Sequence, residues 1–359
     1  MNLYDWQKPL WHRLLADPAR LPHALLLSGP HGLGKLAFAQ ALAARLLCES
    51  PSDGVELTAC GACCACNWLA SGNHPDFRLV QPEDEESEPA NEEGSSGNSS
   101  GEKPARSATA TSRQQDGVIR IGQIRALEDF VFVGSHRQGS RVAIIAPAEG
   151  MNPAAANSLL KILEEPPSSV YFILVSSSWR RLLPTIRSRC RNISFDRPDA
   201  FLAERWLETQ GIQSAGELLR LAGGAPLVAA EWAEQGRMES YRKAVAALAE
   251  ETADPVAMAA RWAALLKSSE EFGLVQLVEM VQKWLFDLTQ LKLSGVLRYH
   301  EAWRSTLEKM AAGASATALL SCYNDFLRIR AVARHPLNTQ LFLEDMAFRY
   351  LRALAMGKP

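Results

Sequence analysis

The sequence predicts an α/β domain built on a parallel sheet, followed by a wholly helical region. Two observations carry this reading. Between residues 23 and 195 short, uninterrupted apolar runs alternate with helical patterns, whereas after Phe195 the strand signals stop and Ala-, Leu- and Glu-rich helical periodicity continues nearly to the end. Strands that are apolar throughout belong to sheets covered on both faces. Length and composition agree, since 359 residues exceed one domain of roughly 150 residues. A chain 47% hydrophobic and 22% charged can bury real cores, which excludes collagen-like and wholly disordered polymers.

The first strand is expected at HALLLSG (23–29), with a helical stretch at 36–48 behind it. FRLV (77–80) and VIRI (118–121) are the next β-like runs, and a helical pattern follows at 122–132. RVAIIA (141–146), a helical stretch at 153–165, VYFILVSS (170–177) and RNISF (191–195) complete the series and place the α/β domain at 1–196. Beyond it, Gly211-Ile212, Gly223-Gly224-Ala225-Pro226 and Asp254-Pro255 punctuate the helical region. They divide it into a small helical domain at 197–240 and a larger one at 241–359. No period of about 20 to 50 residues recurs, which argues against a solenoid.

From Gln81 to Gly117 there is no Ile, Leu, Val, Met, Phe, Trp, Tyr or Cys. Such a segment cannot bury enough apolar surface to offset its ordering entropy, so 81–117 is expected to be a disordered insertion. It carries nine acidic residues against Lys103, Arg106 and Arg113; without it the chain's 40 acidic and 38 basic residues become 31 and 35, a mildly basic body. That balance tolerates a polyanion partner without announcing one. No apolar run approaches the roughly 18 to 20 residues of a membrane span, and the start MNLYDWQKPLW lacks a basic segment followed by an apolar one. The expectation is a cytoplasmic chain with no membrane contact.

Three constellations carry chemistry. LLLSGPHGLGKL matches the phosphate loop G-x-x-x-x-G-K through Gly29, Gly34 and Lys35, between an expected strand and an expected helix. Glycines there let backbone N–H groups wrap phosphate oxygens while the lysine reaches the terminal phosphates. The next position is Leu36, where a working loop has Ser or Thr for magnesium, and an isobutyl group cannot ligate a hard cation. The neighbouring strand ends in Ala146-Pro147-Ala148 where an acid is needed; Glu149 follows, and only a shift of register would bring it into that place. The loop has the form of a nucleotide site without its metal chemistry, so no functional ATP or magnesium site is expected.

Cys48, Cys60, Cys63 and Cys66 offer four thiolates, the last three spaced to turn around one ion. In a cytosolic chain such a cluster favours metal over disulfides, and four sulfurs make a closed, structural zinc site. Cys64 is the odd member and a possible substitute ligand; His74 reads as a structural histidine that competes weakly for the metal. In TIRSRC (185–190), Arg187 and Arg189 flank Ser188. They are either surface charges beside the last strand or an arginine finger, a rigid cation presented to another subunit's nucleotide.

Taken together, RLPHALLLSGPHGLGK (20–35), the cysteines ending near GNHPDF (72–77), NPAAANSLLKILEEPP (152–167) and LLPTIRSRC (182–190) resemble the δ′ subunits of the bacterial DNA polymerase III clamp-loader family. GGAPLVA (223–229) and HPLNTQLFLEDM (335–346) extend the likeness more loosely. The resemblance implies an AAA+ fold: a RecA-like α/β domain with a zinc module at 48–66, a helical lid at 197–240 and a helical collar at 241–359. It implies a hetero-oligomeric ring of five with γ/τ and δ subunits that opens a sliding clamp and places it on primed DNA. The chain would then not be an enzyme by itself, but a part of a DNA-directed DNA polymerase, a nucleotidyltransferase. Arg189 would enter the ATP site of the adjoining γ/τ subunit, and Arg125 and Lys161 are by position the candidates for DNA phosphates. Trp6 and Gln7 would serve as hydrophobic anchoring and adenine-side packing, with Trp6 read first as a core residue. The competing readings are a self-sufficient phosphate-loop ATPase and a zinc-based nucleic-acid module with a decayed nucleotide fold attached.

Overall fold

The computed structural model describes residues 3–17, 20–52, 57–83, 117–132, 139–167, 169–250, 254–269, 272–333 and 338–355. The insertion expected at 81–117 lies, from 84 to 116, outside the described residues. Contacts divide the chain into two compact units, Met1–Leu202 and Ala203–Pro359.

In the first unit a 3₁₀ turn, Asp5–Gln7, leads into α1 (Lys8–Leu14). There follow β1 (Ala24–Ser28), α2 (Lys35–Leu47), α3 (Cys64–Ala70), β2 (Phe77–Val80) and α4 (Ile121–Phe132). β3 (Arg141–Ile145), α5 (Pro153–Glu164), β4 (Val170–Ser176), α6 (Pro184–Arg189) and β5 (Arg191–Ser194) complete it. The five strands form one parallel sheet in the order β2-β3-β4-β1-β5, with Leu26 of β1 in register with Leu174 on one side and Asn192 on the other.

Every residue of β1 and β3 is buried, as their uninterrupted apolar runs require. Leu26, Ala143, Ile145, Phe172 and Leu174 pack with Ile124 and Leu127 of α4 and Leu159 and Ile162 of α5. Leu25 and Leu27 alternate to the other face. α2 packs against β1, β3 and β4, and its Phe38 stands edge-on to Trp11 and Phe195 at 5.2 and 5.1 Å between ring centroids. α5 starts where Asn152 caps the Ala155 N–H at 2.8 Å and Pro153 takes the first helical position.

VIRI (118–121) does not form the expected strand. Ile119 makes a single bridge with Met151: its N–H donates to Gly150 O at 2.8 Å and its carbonyl accepts from Asn152 N at 3.1 Å. Ile121 already opens α4. Four apolar-rich residues read alike at a strand and at the first turn of an amphipathic helix, and here the helix took the last of them.

The second unit is helical. α7 (Ala200–Thr209) runs across the division, and α8 (Ala215–Leu221), α9 (Pro226–Glu234), α10 (Arg237–Ala249) and α11 (Pro255–Ser268) follow. Next come α12 (Leu274–Ser294), α13 (Arg304–Gly313), α14 (Ala316–Val332) and α15 (Thr339–Ala355). One apolar cluster, with Trp262, Trp284, Phe326 and Tyr350 fully buried, extends from Ala203 to Ala353. Among the described residues, no helix is long and apolar enough to cross a membrane.

A polar centre is set into this core. Asp287, fully buried on α12, accepts from the backbone N–H groups of Arg298 (2.9 Å), Tyr299 (3.1 Å) and His300 (2.7 Å) and contacts His300 Nδ1 at 2.8 Å. His300 Nε2 in turn lies 2.9 Å from the Tyr241 hydroxyl on α10. One carboxylate thereby accepts from three successive backbone N–H groups. Asp287→Ala should leave three backbone donors, that of the buried His300 among them, without their acceptor and lower unfolding free energy by about 2 kcal/mol in urea titration.

Candidate functional site

Strand β1 ends at Ser28, and the loop 29–34 closes it onto α2, whose first residue is Lys35. Two glycines there are demanded by the chain's own atoms. Gly29 has φ +148°, and a Cβ on it would lie 2.4 Å from Phe195 O. Gly34 has φ +80°, and a Cβ would meet the Tyr4 ring at 2.6 Å and Gln7 Nε2 at 2.7 Å. Lys35 is buried, and its ammonium donates to Gly29 O (2.8 Å), Pro30 O (2.6 Å) and Ser177 Oγ (3.2 Å). Burial pulls this ammonium down to about 8, and the Glu149 carboxylate opposes the shift.

The outer side of the loop is braced by the N-terminal segment. The buried Gln7 donates from Nε2 to Leu33 O and Gly34 O, both at 2.9 Å, and Trp6 Nε1 donates to Leu33 O at 3.3 Å. The Tyr4 and Trp6 rings stack at 4.7 Å. Trp6 is half-buried, bonded to the loop rather than sunk in the core. The sequence offers no local signal for this brace, because the partners stand 26 and 27 residues apart.

Leu36 follows the lysine, and Ala146-Pro147 follows β3, so neither place holds an oxygen side chain. The acid of this region is Glu149, whose Oε1 accepts from the N–H groups of Ser177 and Ser178 at 2.8 and 2.9 Å. The carboxylate is thus tied to the end of β4 with its charge felt at Lys35, while its buried Oε2 has no hydrogen-bond partner among the described residues.

The sulfurs of Cys48, Cys60, Cys63 and Cys66 all lie within 4.8 Å of one another, a group that can hold a metal ion. Cys48 stands at the end of α2, and Cys63 caps α3. Backbone N–H groups are turned on the sulfurs: Cys60 N to Cys48 Sγ at 3.3 Å, Cys63 N to Cys60 Sγ and Cys66 N to Cys63 Sγ at 3.4 Å each. The N–H groups of Ala62 and Cys63 pull the Cys60 thiol down to about 6, whereas burial pushes Cys66 up to about 12. Sulfurs this close do not all ionise without a cation between them. Cys64 is exposed and outside the group. His74 is also outside it; the ring is buried, with Nδ1 accepting from Asp76 N at 3.0 Å and an edge contact to Trp68.

The arginines of α6 separate. Arg187 stacks on Trp179, its guanidinium 5.2 Å from the ring centroid, whereas Arg189 pairs with Glu164 at 2.5 Å. Arg125 and Lys161 are both exposed, on α4 and α5, which pack side by side.

A parallel sheet in this order, with a phosphate-type loop joining β1 to α2 and a helical unit after it, defines an α/β protein built on the phosphate-loop pattern. A family model described as DNA polymerase III, delta subunit, matches residues 8–199, more than half of the chain, and the chain belongs to that family. The DNA polymerase III subunit delta' of Pseudomonas aeruginosa is 38% identical over 248 residues, which are 68% of this chain and 65% of that relative's length. The subunit gamma/tau of Mycobacterium bovis is 29% identical over 218 residues, 58% of this chain and 32% of its own. A solved gamma subunit-related protein of Thermotoga maritima aligns over 97% of this chain and 99% of its own, at TM-score 0.44 and 16% identity. The resemblance read from the sequence, to delta prime subunits, stands on the family model and the Pseudomonas aeruginosa relative.

Gly34→Ala places a Cβ against the Tyr4 ring on a backbone that L residues avoid. It should cost more than about 1 kcal/mol of stability in thermal or urea unfolding, with no ligand present.

Proposed function

We propose that this chain is a non-hydrolysing subunit of a DNA polymerase III clamp loader, acting by presenting surfaces and one arginine rather than by turning over nucleotide. The observation that carries the reading is a fully formed phosphate loop flanked by Leu36 and Ala146-Pro147, with no oxygen ligand at either metal-organising position. Gly29, Gly34 and Lys35 keep the loop's shape, and its backbone N–H groups leave some phosphate affinity open. Residues 1–196 serve as the AAA+ domain, 197–240 as a lid and 241–359 as the collar of a ring formed with gamma/tau and delta subunits. The assembled ring loads a sliding clamp onto primed DNA in the cytoplasm, with Arg125 and Lys161 toward the DNA phosphates. Support comes from family membership and from the likeness to a gamma/tau chain.

Arg189 is the finger of this reading, delivered in trans to the nucleotide of the adjoining subunit, where charge develops during phosphoryl transfer. The four cysteines are read as a structural zinc site. Tetrahedral zinc with bonds of about 2.3 Å sets its sulfurs about 3.8 Å apart, and Cys48–Cys63 and Cys60–Cys66 each stand at 3.9 Å. Zinc bound there supplies a cross-link between the end of α2 and α3.

The purified chain should show no magnesium-dependent ATPase; turnover that disappears in Lys35→Ala overturns the proposal. In the complex reconstituted with gamma/tau and delta subunits, Arg189→Ala should lower clamp- and DNA-stimulated ATPase. The loss should fall short of the roughly 10³ to 10⁵ known for isolated fingers, because other sites keep their own arginines. Wild-type rates would refute the finger, and a larger defect in Arg187→Ala would move the role two residues upstream. Metal analysis should find one zinc per chain and its loss in Cys63→Ser; undiminished zinc in that variant removes the ligand assignment.

A further inference from the structure

Arg189 does not extend away from its own chain. Its Nη1 donates back to the Thr185 carbonyl, one turn earlier on α6, at 3.1 Å, and its Nη2 donates to Glu164 Oε1 at 2.5 Å. Glu164 is the last residue of α5, which packs against α6. The guanidinium therefore lies along its own helix, each terminal nitrogen giving one of its two N–H donors to its own chain and the charge paired with a carboxylate, whereas a finger serving another subunit must carry that charge outward to the phosphate. Resting on the reading of Arg189 as a finger, we propose that Glu164 is a positioning residue that holds the arginine retracted and yields it to a triphosphate presented across the subunit interface.

The balance of forces permits both states. The Arg189 side chain is 35% exposed and that of Glu164 50%, and a pair so open to water biases a two-state equilibrium by no more than about fivefold. That suffices to populate the retracted state without locking it. A triphosphate concentrates several negative charges and accepts from the planar guanidinium fork through more than one oxygen, so it outcompetes a single carboxylate. While paired, the arginine also presents little net charge to its surroundings, and the resting interface lacks the cation that phosphoryl transfer needs. Arg187 is packed on Trp179, so the two arginines of α6 are held by different partners.

The test uses the reconstituted complex. Glu164→Gln keeps the side chain's shape and removes its charge; it should raise ATPase measured without clamp and DNA by two- to fivefold and leave the stimulated rate unchanged, since there the arginine is already turned outward. Glu164→Ala should give the same rise. Glu164→Gln combined with Arg189→Ala should fall to the Arg189→Ala rate, because the gain passes through the guanidinium, which a merely structural effect of losing Glu164 would not do. An unstimulated rate at or below wild type in both single variants overturns the proposal. So does a gain that survives in the double variant, or a stimulated rate that drops with Glu164→Gln. The finger itself is judged separately: if Arg189→Ala alone leaves every rate at wild type, that reading fails, whereas a defect there with silent Glu164 variants removes only the holding role.

Discussion

The chemistry of the first unit depends on one constraint, the position of β1 inside its sheet. It is hydrogen-bonded to β4 on one edge and β5 on the other, and all five of its residues are buried. A strand so enclosed offers no side and no edge to a ligand, only its C-terminal end. Because the sheet is parallel, the ends of β3 and β4 open on the same side, which is where open α/β sheets gather their sites. Lys35, Glu149 and Ser177 reach one another from three different strand ends for this reason.

The two constellations of this unit ask different things of the fold. The phosphate-type loop is shaped by the sheet beneath it and by residues 4–7 outside it. The cysteine segment has little beneath it: α3 is seven residues long and buries only Ala65 and Leu69. Four sulfurs drawn together at its start give that short segment a means of fixing itself that a core of one alanine and one leucine does not.

What could be read from the sequence follows the same division. Runs such as ALLLS and RVAII announce strands because burial on both faces leaves no polar position in them, and the glycine and cysteine spacings are local enough to be seen directly. VIRI misled because four residues do not distinguish a strand from the first turn of an amphipathic helix. The hold of Glu164 on Arg189 and of Gln7 on Gly34 was invisible, since each joins residues about 25 apart through contacts that no local pattern encodes. Asp287 shows the same limit: in sequence it is one of two acids in an amphipathic helix, and only the fold brings a turn of N–H groups eleven to thirteen residues later onto its oxygens.

The brace that Tyr4, Trp6 and Gln7 lay across the loop bears on what a sequence motif records. Gly34 answers to an aromatic ring and an amide, Gly29 to the carbonyl of Phe195, and the lysine to two carbonyls of its own loop. Each is required by the chain's own atoms, so packing alone opposes their replacement. A search keyed to the two glycines and the lysine therefore detects an architecture. What such a search does not read stands one residue further on, at Leu36, and across the sheet at Ala146, where neither side chain carries an oxygen.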